Sequence, residues 1–181
     1  DSLFTTIVQS ANFLSTSQYT AATLVDGTYY WHVRARDGAG NIGSWTTGWS
    51  FIVDTSPPTA FDLSSPANNT CTADNTPTFS WSASSDPCGV TYKVYVDGAA
   101  ISGDLTTTPF TPATPIDDGD PTWYVVAKDS AGNTTTSTST FTIKIDTVPP
   151  ATFTLLTPAD NSCTNDTTPT FDWADAVDDD V

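Results

Sequence analysis

The sequence carries YYWHVRARDGAGN at residues 29–41 and PTWYVVAKDSAGN at residues 121–133. In each, an alternating Trp-x-Val-x-Ala runs into a hexapeptide, RDGAGN at 36–41 and KDSAGN at 128–133. Alternation with period two puts Trp31, Val33 and Ala35, and again Trp123, Val125 and Ala127, on one side of an extended strand. The residues that follow are turn formers: Gly40 and Gly132 permit a tight backbone, and Asp37 and Asp129 stand at its entrance. The hexapeptide can be read as a turn, as a metal site or as the mark of a repeated module.

The rest of the chain favours the module. DTSPP begins at Asp54 and DTVPP at Asp146, and TPTFSW (76–81) recurs as TPTFDW (168–173), each 92 residues on. Cys71 and Cys163, Asp26-Gly27 and Asp118-Gly119, and Trp31 and Trp123 keep the same offset. Such self-similarity is the signature of a tandem array. A unit of about 92 residues is the size of a small β-sandwich. Residues 1–53 read as the back part of one unit, 54–145 as a complete unit, and 146–181 as the front part of a third. DDDV at 178–181 falls where PCGV stands at 87–90, give or take a residue. The two partial units therefore add up to nearly one domain.

Within the complete unit, TFSWS (78–82) places Phe79 and Trp81 on one face. VTYKVYV (90–96) turns Val90, Tyr92, Val94 and Val96 inward, and Asp97-Gly98 then supplies a hairpin-type turn. TFTIKID (140–146) presents Phe141, Ile143 and Ile145. In the first partial unit, Tyr29, Trp31, Val33 and Ala35, then Trp49, Phe51 and Val53, repeat the last two strands. No helical period occurs, so the expectation is an all-β fold of antiparallel sandwiches. Trp31, Trp81, Trp123 and Trp173 stand at inward positions and read as core, whereas Trp45 is less regular.

Composition agrees. Lys plus Arg number 5 against 21 acidic residues, giving a net charge of −16, and every acid is Asp. Asp favours turns and loop ends over helix. This charge excludes nucleic acid and anionic membranes as partners, both of which need basic patches. It suits divalent cations, calcium above all, which binds clustered carboxylates and carbonyls. No apolar run approaches a membrane span, and the chain does not begin on a signal peptide, as in a mature or excised secreted protein.

DGTYYWHVRARDGAGNIGSW…FIVDTSPP and TPTFSWSASSDPCGVTYKVYVDG resemble the bacterial immunoglobulin-like and fibronectin type III-like repeats of secreted and cell-surface adhesins. The resemblance covers essentially the whole chain. It implies fold and an extracellular setting, and leaves the ligand open. One departure is Pro121, which stands where the first unit has Tyr29, the usual core tyrosine of the family.

The resembled topology also places the acids. The first junction gathers Asp54 from the linker, Asp86 and Asp129 from the loops at the facing pole, with Asp26 of the preceding turn within reach. The second gathers Asp146, Asp118 and the run Asp178, Asp179, Asp180. Carboxylates converging on a Pro-Pro linker repel one another unless a cation neutralises them, so calcium at the junctions is expected. The alternative is that Asp129 only caps its own turn.

Three Cys are an odd number. Cys71 and Cys88 share a unit, and a bridge between them would add about 3 kcal/mol in the chain-entropy model. The resembled topology sets them near opposite poles, however, and a disulfide needs Cα atoms within about 7 Å. It turns Cys163 toward the loop that carries Cys88 in a following unit. The expected bridge is thus Cys163 to Cys88 between copies, with Cys71 left over. Asn68, Asn133 and Asn165 begin glycosylation sequons.

Chemistry is sparse. His32 is the one histidine, there is no Gly-x-Ser-x-Gly, no phosphate loop and no zinc spacing, and the Asp residues occupy turn contexts. The expectation is a non-enzyme: an extracellular stalk or filament with an unspecified surface ligand, whose partners are copies of itself. Either a longer tandem protein supplies the missing parts, or the front part of one copy completes the back part of the next. The alternative is a ligand- or glycan-binding accessory module of a secreted enzyme, for which Trp45 and Trp49 are the candidate aromatics, with Trp49 read as core.

Overall fold

The computed structural model describes residues 7, 9–12 and 14–178. Among them every regular element is a strand, and no helix is long and apolar enough to cross a membrane. The strands are β1 (Gly27–Trp31), β2 (Trp49–Val53), β3 (Leu63–Ser65), β4 (Thr70–Thr72), β5 (Ser80–Trp81) and β6 (Thr91–Val96). β7 (Ala99–Ala100), β8 (Thr122–Lys128), β9 (Thr134–Thr136), β10 (Phe141–Ile145), β11 (Leu155–Thr157) and β12 (Asp172–Trp173) follow. The chain divides into two units. One comprises Ala60–Ser84, Thr91–Ala127 and the chain from Thr136 on; the other comprises the chain up to Thr59, with Ser85–Val90 and Lys128–Thr135.

The first of these contains a two-sheet sandwich. One sheet has the order β4-β10-β8-β6-β7, with β9 also against β8. The other pairs β3 with β5, Leu63 opposite Trp81 and Ser65 opposite Ser80, and is extended by an antiparallel bridge between Phe79 and Phe110. Side chains of the two sheets meet in the middle, where the Phe79 ring stands edge-on to Trp123 with centroids 4.9 Å apart. Trp81 and Phe61 both pack on Tyr92. Phe79, Val94, Trp123, Val125, Ile143 and Ile145 are fully buried. The strict alternation of β6 and β8 accounts for this, since every second residue of a strand points to the core.

The turn between β6 and β7 follows from Asp97-Gly98, both at positive φ (47° and 78°), the conformation of a type I′ hairpin. β4 joins the sheet parallel to β10, with Thr70, Cys71 and Thr72 opposite Ile143, Lys144 and Ile145. The same unit also contains β11–β12, in which Leu155 faces Trp173 and Thr157 faces Asp172. That register and its bulge are those of β3–β5.

In the other unit β1 and β2 pair from Gly27 opposite Val53 to Trp31 opposite Trp49. Tyr29 stacks on Phe51 and its hydroxyl donates to the Val25 carbonyl, the corner contact that Pro121 cannot make. Trp31 and Trp173, read from the sequence as core, are instead about half exposed. Their strands point them to the core side as expected. Among the described residues, however, no second sheet covers β1–β2 or β11–β12.

Candidate functional site

The two hexapeptides fold as the same loop. Asp129 Oδ1 accepts the Gly132 and Asn133 N–H groups and Oδ2 accepts the Asn133 side-chain amide. Asp37 does likewise with the Ala39 and Asn41 N–H groups and the Asn41 side chain. Gly132 and Gly40 supply the positive φ that closes the turn. Burial pushes the Asp129 carboxyl up, but the Asn133 side chain and the Asn133, Gly132 and Ala131 N–H groups outweigh it and hold it below the ordinary value of 3.8. Asp37 is likewise held low, chiefly by the Asn41 side chain and then by its N–H.

Asp129 lies near a small acidic cluster and acts on it through its charge. Asp54, Asp86 and Cys88 each offer a ligand atom, all within 4.8 Å of one another. Local hydrogen bonding sets this up: Asp54 Oδ1 accepts the Ser56 N–H, and Asp86 Oδ1 accepts the Cys88 N–H. The Asn133 amide donates to the Asp54 carbonyl, tying the hexapeptide loop to the linker. The Cys88 thiol contacts the Asp54 carboxylate. That contact, burial, and the charges of Asp54, Asp86 and Asp129 push the thiol up to about 11. The Asp54 Oδ2 atom is buried and no N–H or O–H donor reaches it. Two carboxylates fit a hard cation, whereas a protonated thiol is a poor ligand for one.

The other acids read as junction ligands are placed differently. Asp26 accepts from the Thr55 N–H, the Thr55 hydroxyl and the Ser56 hydroxyl. The Thr55 hydroxyl, then the Ser56 hydroxyl, then the Thr55 N–H hold its carboxyl low. Asp118 grips Thr147 in the same manner, and Asp146 Oδ1 accepts the Val148 N–H as Asp54 does Ser56. Asp178 joins no ligand cluster found among the described residues, and Asp179 and Asp180 lie outside them.

All three cysteines are free. Cys88 turns to Asp54, while Cys71, the cysteine expected to be left over, sits exposed on β4 opposite Lys144. Cys163 is exposed. Of the sequon residues, Asn68 and Asn165 are exposed, whereas the Asn133 amide is engaged by Asp129 and Asp54. The position of Cys88 in the acidic cluster escaped the sequence reading, which weighed cysteines only for disulfides. The spacing Asp-x-Cys, which makes an Asx turn, was the available signal.

The aromatic residues of β1, β2 and the segment between them form two faces. Trp31, Val33, Thr46, Thr47 and Trp49 line an open cleft of 290 Å³. On the opposite side His32 stacks on Trp45 at 4.0 Å and the Arg34 guanidinium lies 4.4 Å from the Trp45 ring centre. Trp45 is half exposed, but its ring already carries these two neighbours.

Residues 60–147 match the family model of the bacterial Ig-like domain. Over 151 residues the chain is 34% identical to chitinase A1 of Niallia circulans, a match that covers 76% of this chain. It spans about a fifth (21%) of that protein's length.

Proposed function

We propose that the chain is a non-catalytic segment of an extracellular protein, in which Ig-like sandwiches follow one another every 92 residues as a stiff stalk or fibre that presents an adhesive surface. The observation that carries this reading is the repetition of detail at one offset. β1–β2 has the register of β8–β10, and β11–β12 that of β3–β5. The Asp37 and Asp129 loops, and the Asp26 and Asp118 linker contacts, repeat in their hydrogen bonds. X-ray scattering from chains lengthened by further 92-residue units tests it. The maximum dimension grows by a constant step per unit if the array is stiff, and a compact, saturating size would sink the reading.

A second reading is an accessory module of a secreted enzyme that acts on glycans, favoured by the likeness to a chitinase. It needs an open aromatic platform; Trp45 is half exposed, and His32 and Arg34 would have to leave its ring for it to serve as one. Binding to insoluble chitin that Trp45→Ala abolishes would support it; no retention of the unaltered chain refutes it.

Calcium belongs to this proposal as the ion held by Asp54 and Asp86, supported by the buried Asp54 Oδ2, which no N–H or O–H donor reaches. Melting with calcium against EDTA is the check. A bound ion raises the melting temperature and Asp54→Asn removes the rise; identical melts in both buffers dismiss it.

A further inference from the structure

We propose that each linker, DTSPP at 54–58 and DTVPP at 146–150, is a self-locking joint in which Asp26 and Asp118 are positioning residues, their carboxylates gripping the linker threonine and so setting the stiffness of the array. The inference rests on the tandem reading above and assigns the residues that make it rigid. Neither linker contains glycine. Proline fixes its own φ and confines the residue before it to extended backbone, so Ser56 to Pro58 and Val148 to Pro150 have little freedom. A hinge could therefore form only at Asp54-Thr55 and Asp146-Thr147, and these are the residues that are held. Thr55 gives both its N–H and its hydroxyl to Asp26 Oδ1, and Ser56 gives its hydroxyl to Oδ2. Thr147 gives its N–H to Asp118 Oδ2, and its hydroxyl lies 3.0 and 2.9 Å from the two carboxylate oxygens. Ser56 and Val148 donate their N–H groups back to Asp54 and Asp146. Beyond the prolines, the Thr59 N–H donates to the Ser85 carbonyl and the Ala151 N–H to the Val177 carbonyl. The Asp146 N–H is taken by the Thr72 carbonyl. From Thr55 to Thr59 and from Asp146 to Ala151, every backbone N–H thus has a partner.

The first linker is held from both flanks. Asp26 reaches it from the turn just before β1, in the repeat that precedes it. From the repeat that follows, the Asn133 amide donates to the Asp54 carbonyl and the Thr135 hydroxyl to the Pro58 carbonyl. A linker gripped on both sides has no free segment in which to bend. Hydrogen bonds to an ionised acceptor are the stronger kind, and here the linker's own donors fill the acceptor oxygens. Asp26 and Asp118 therefore stiffen the junction by hydrogen bonding and not by holding calcium, whose candidate ligands are Asp54 and Asp86.

Amide hydrogen exchange in the 181-residue chain, read beside X-ray scattering from chains lengthened by whole 92-residue units, tests this. Asp118→Ala speeds exchange of the Thr147 N–H at least about tenfold, the scale of one hydrogen bond to a charged group. The Val125 N–H, bonded to the Ser137 hydroxyl inside the sandwich, keeps its rate and reports that the fold is intact. In the lengthened chains, Ala in place of Asp26, Asp118 and their equivalents lowers the persistence length at least about twofold, because a released joint lets the array coil. Thr147→Val, which removes the gripped hydroxyl, shifts the rod in the same direction, and Thr147→Ser, which keeps it, does not. EDTA leaves the unaltered rod as long as before. Rods indifferent to loss of the carboxylates, a Thr147 N–H that exchanges no faster in Asp118→Ala, or unaltered rods that coil in EDTA overturn the joint while the array reading stands. Unaltered lengthened chains that scatter as compact particles overturn the array reading, and the joint with it.

Discussion

Asp129 holds its turn with both carboxylate oxygens while being only 4% exposed, which ties the loop's integrity to its ionised form. Its carboxyl, with those of Asp37 and Asp26, is held below the ordinary value of 3.8. A depressed carboxyl adds stability that is complete above the unfolded value and is lost as pH falls through the folded one. The melting temperature is therefore expected to vary little through these groups from pH 7 to about 5, then to drop below about pH 4. Asp129→Ala removes part of that acid sensitivity and lowers the melting temperature at pH 7 by several degrees; a calorimetric pH series measures both. Cys88 makes a second test. With its thiol pushed up to about 11, its thiolate fraction at pH 8 is about a hundredfold below that of a thiol at the ordinary 9.0. Iodoacetamide should label it slowly, and Asp54→Asn, which removes the first cause, should speed labelling at least several-fold by mass spectrometry. The turn role of Asp37 and Asp129 was legible because Asp-x-x-Gly-Asn encodes its own hydrogen bonds. The neighbourhood of Cys88 was not, because it depends on three segments distant in sequence meeting at one end of a fold.

At the scale of elements, the 92-residue offset gives a controlled comparison between equivalent strands in different surroundings. Trp123 in β8 packs against Phe79 and Phe141, and truncating it to Ala leaves a cavity that costs about 3–5 kcal/mol. Trp31 in β1 occupies the same strand position but is half exposed, so Trp31→Ala in the isolated chain should change stability by no more than about 0.5 kcal/mol. Denaturant melts monitored at the sandwich core distinguish the two. Strand direction and inward side were readable from alternation alone, and β6, β8 and β10 follow it. Exposure of Trp31 and Trp173 was not readable. Alternation says which side of a strand seeks a partner sheet, while the presence of that sheet depends on what else the chain folds against it.

For the molecule as a whole, a net charge of −16 sets copies against one another at long range. Salt shortens that repulsion, with a Debye length of about 8 Å at physiological ionic strength. Folding gathers the same charges into a smaller volume, so the melting temperature should rise as sodium chloride goes from about 0.02 to 0.5 M, as calorimetry would read. A fall with salt would point instead to stabilising ion pairs. The Lys93–Asp104 and Lys144–Asp120 pairs lie at the surface, where such pairs contribute little, so neither opposes that trend.

The parallel pairing of β4 with β10 has a mechanical meaning. One strand lies near the point where the chain enters the sandwich and the other just before it leaves, and they run in the same direction. Tension applied along the backbone pulls them in opposite senses along their shared ladder. The bonds between Thr70–Thr72 and Ile143–Ile145 are then loaded together in shear rather than peeled apart one at a time. A module wired in this way yields only when several bonds break at once, which is the property a tether under flow or drag requires.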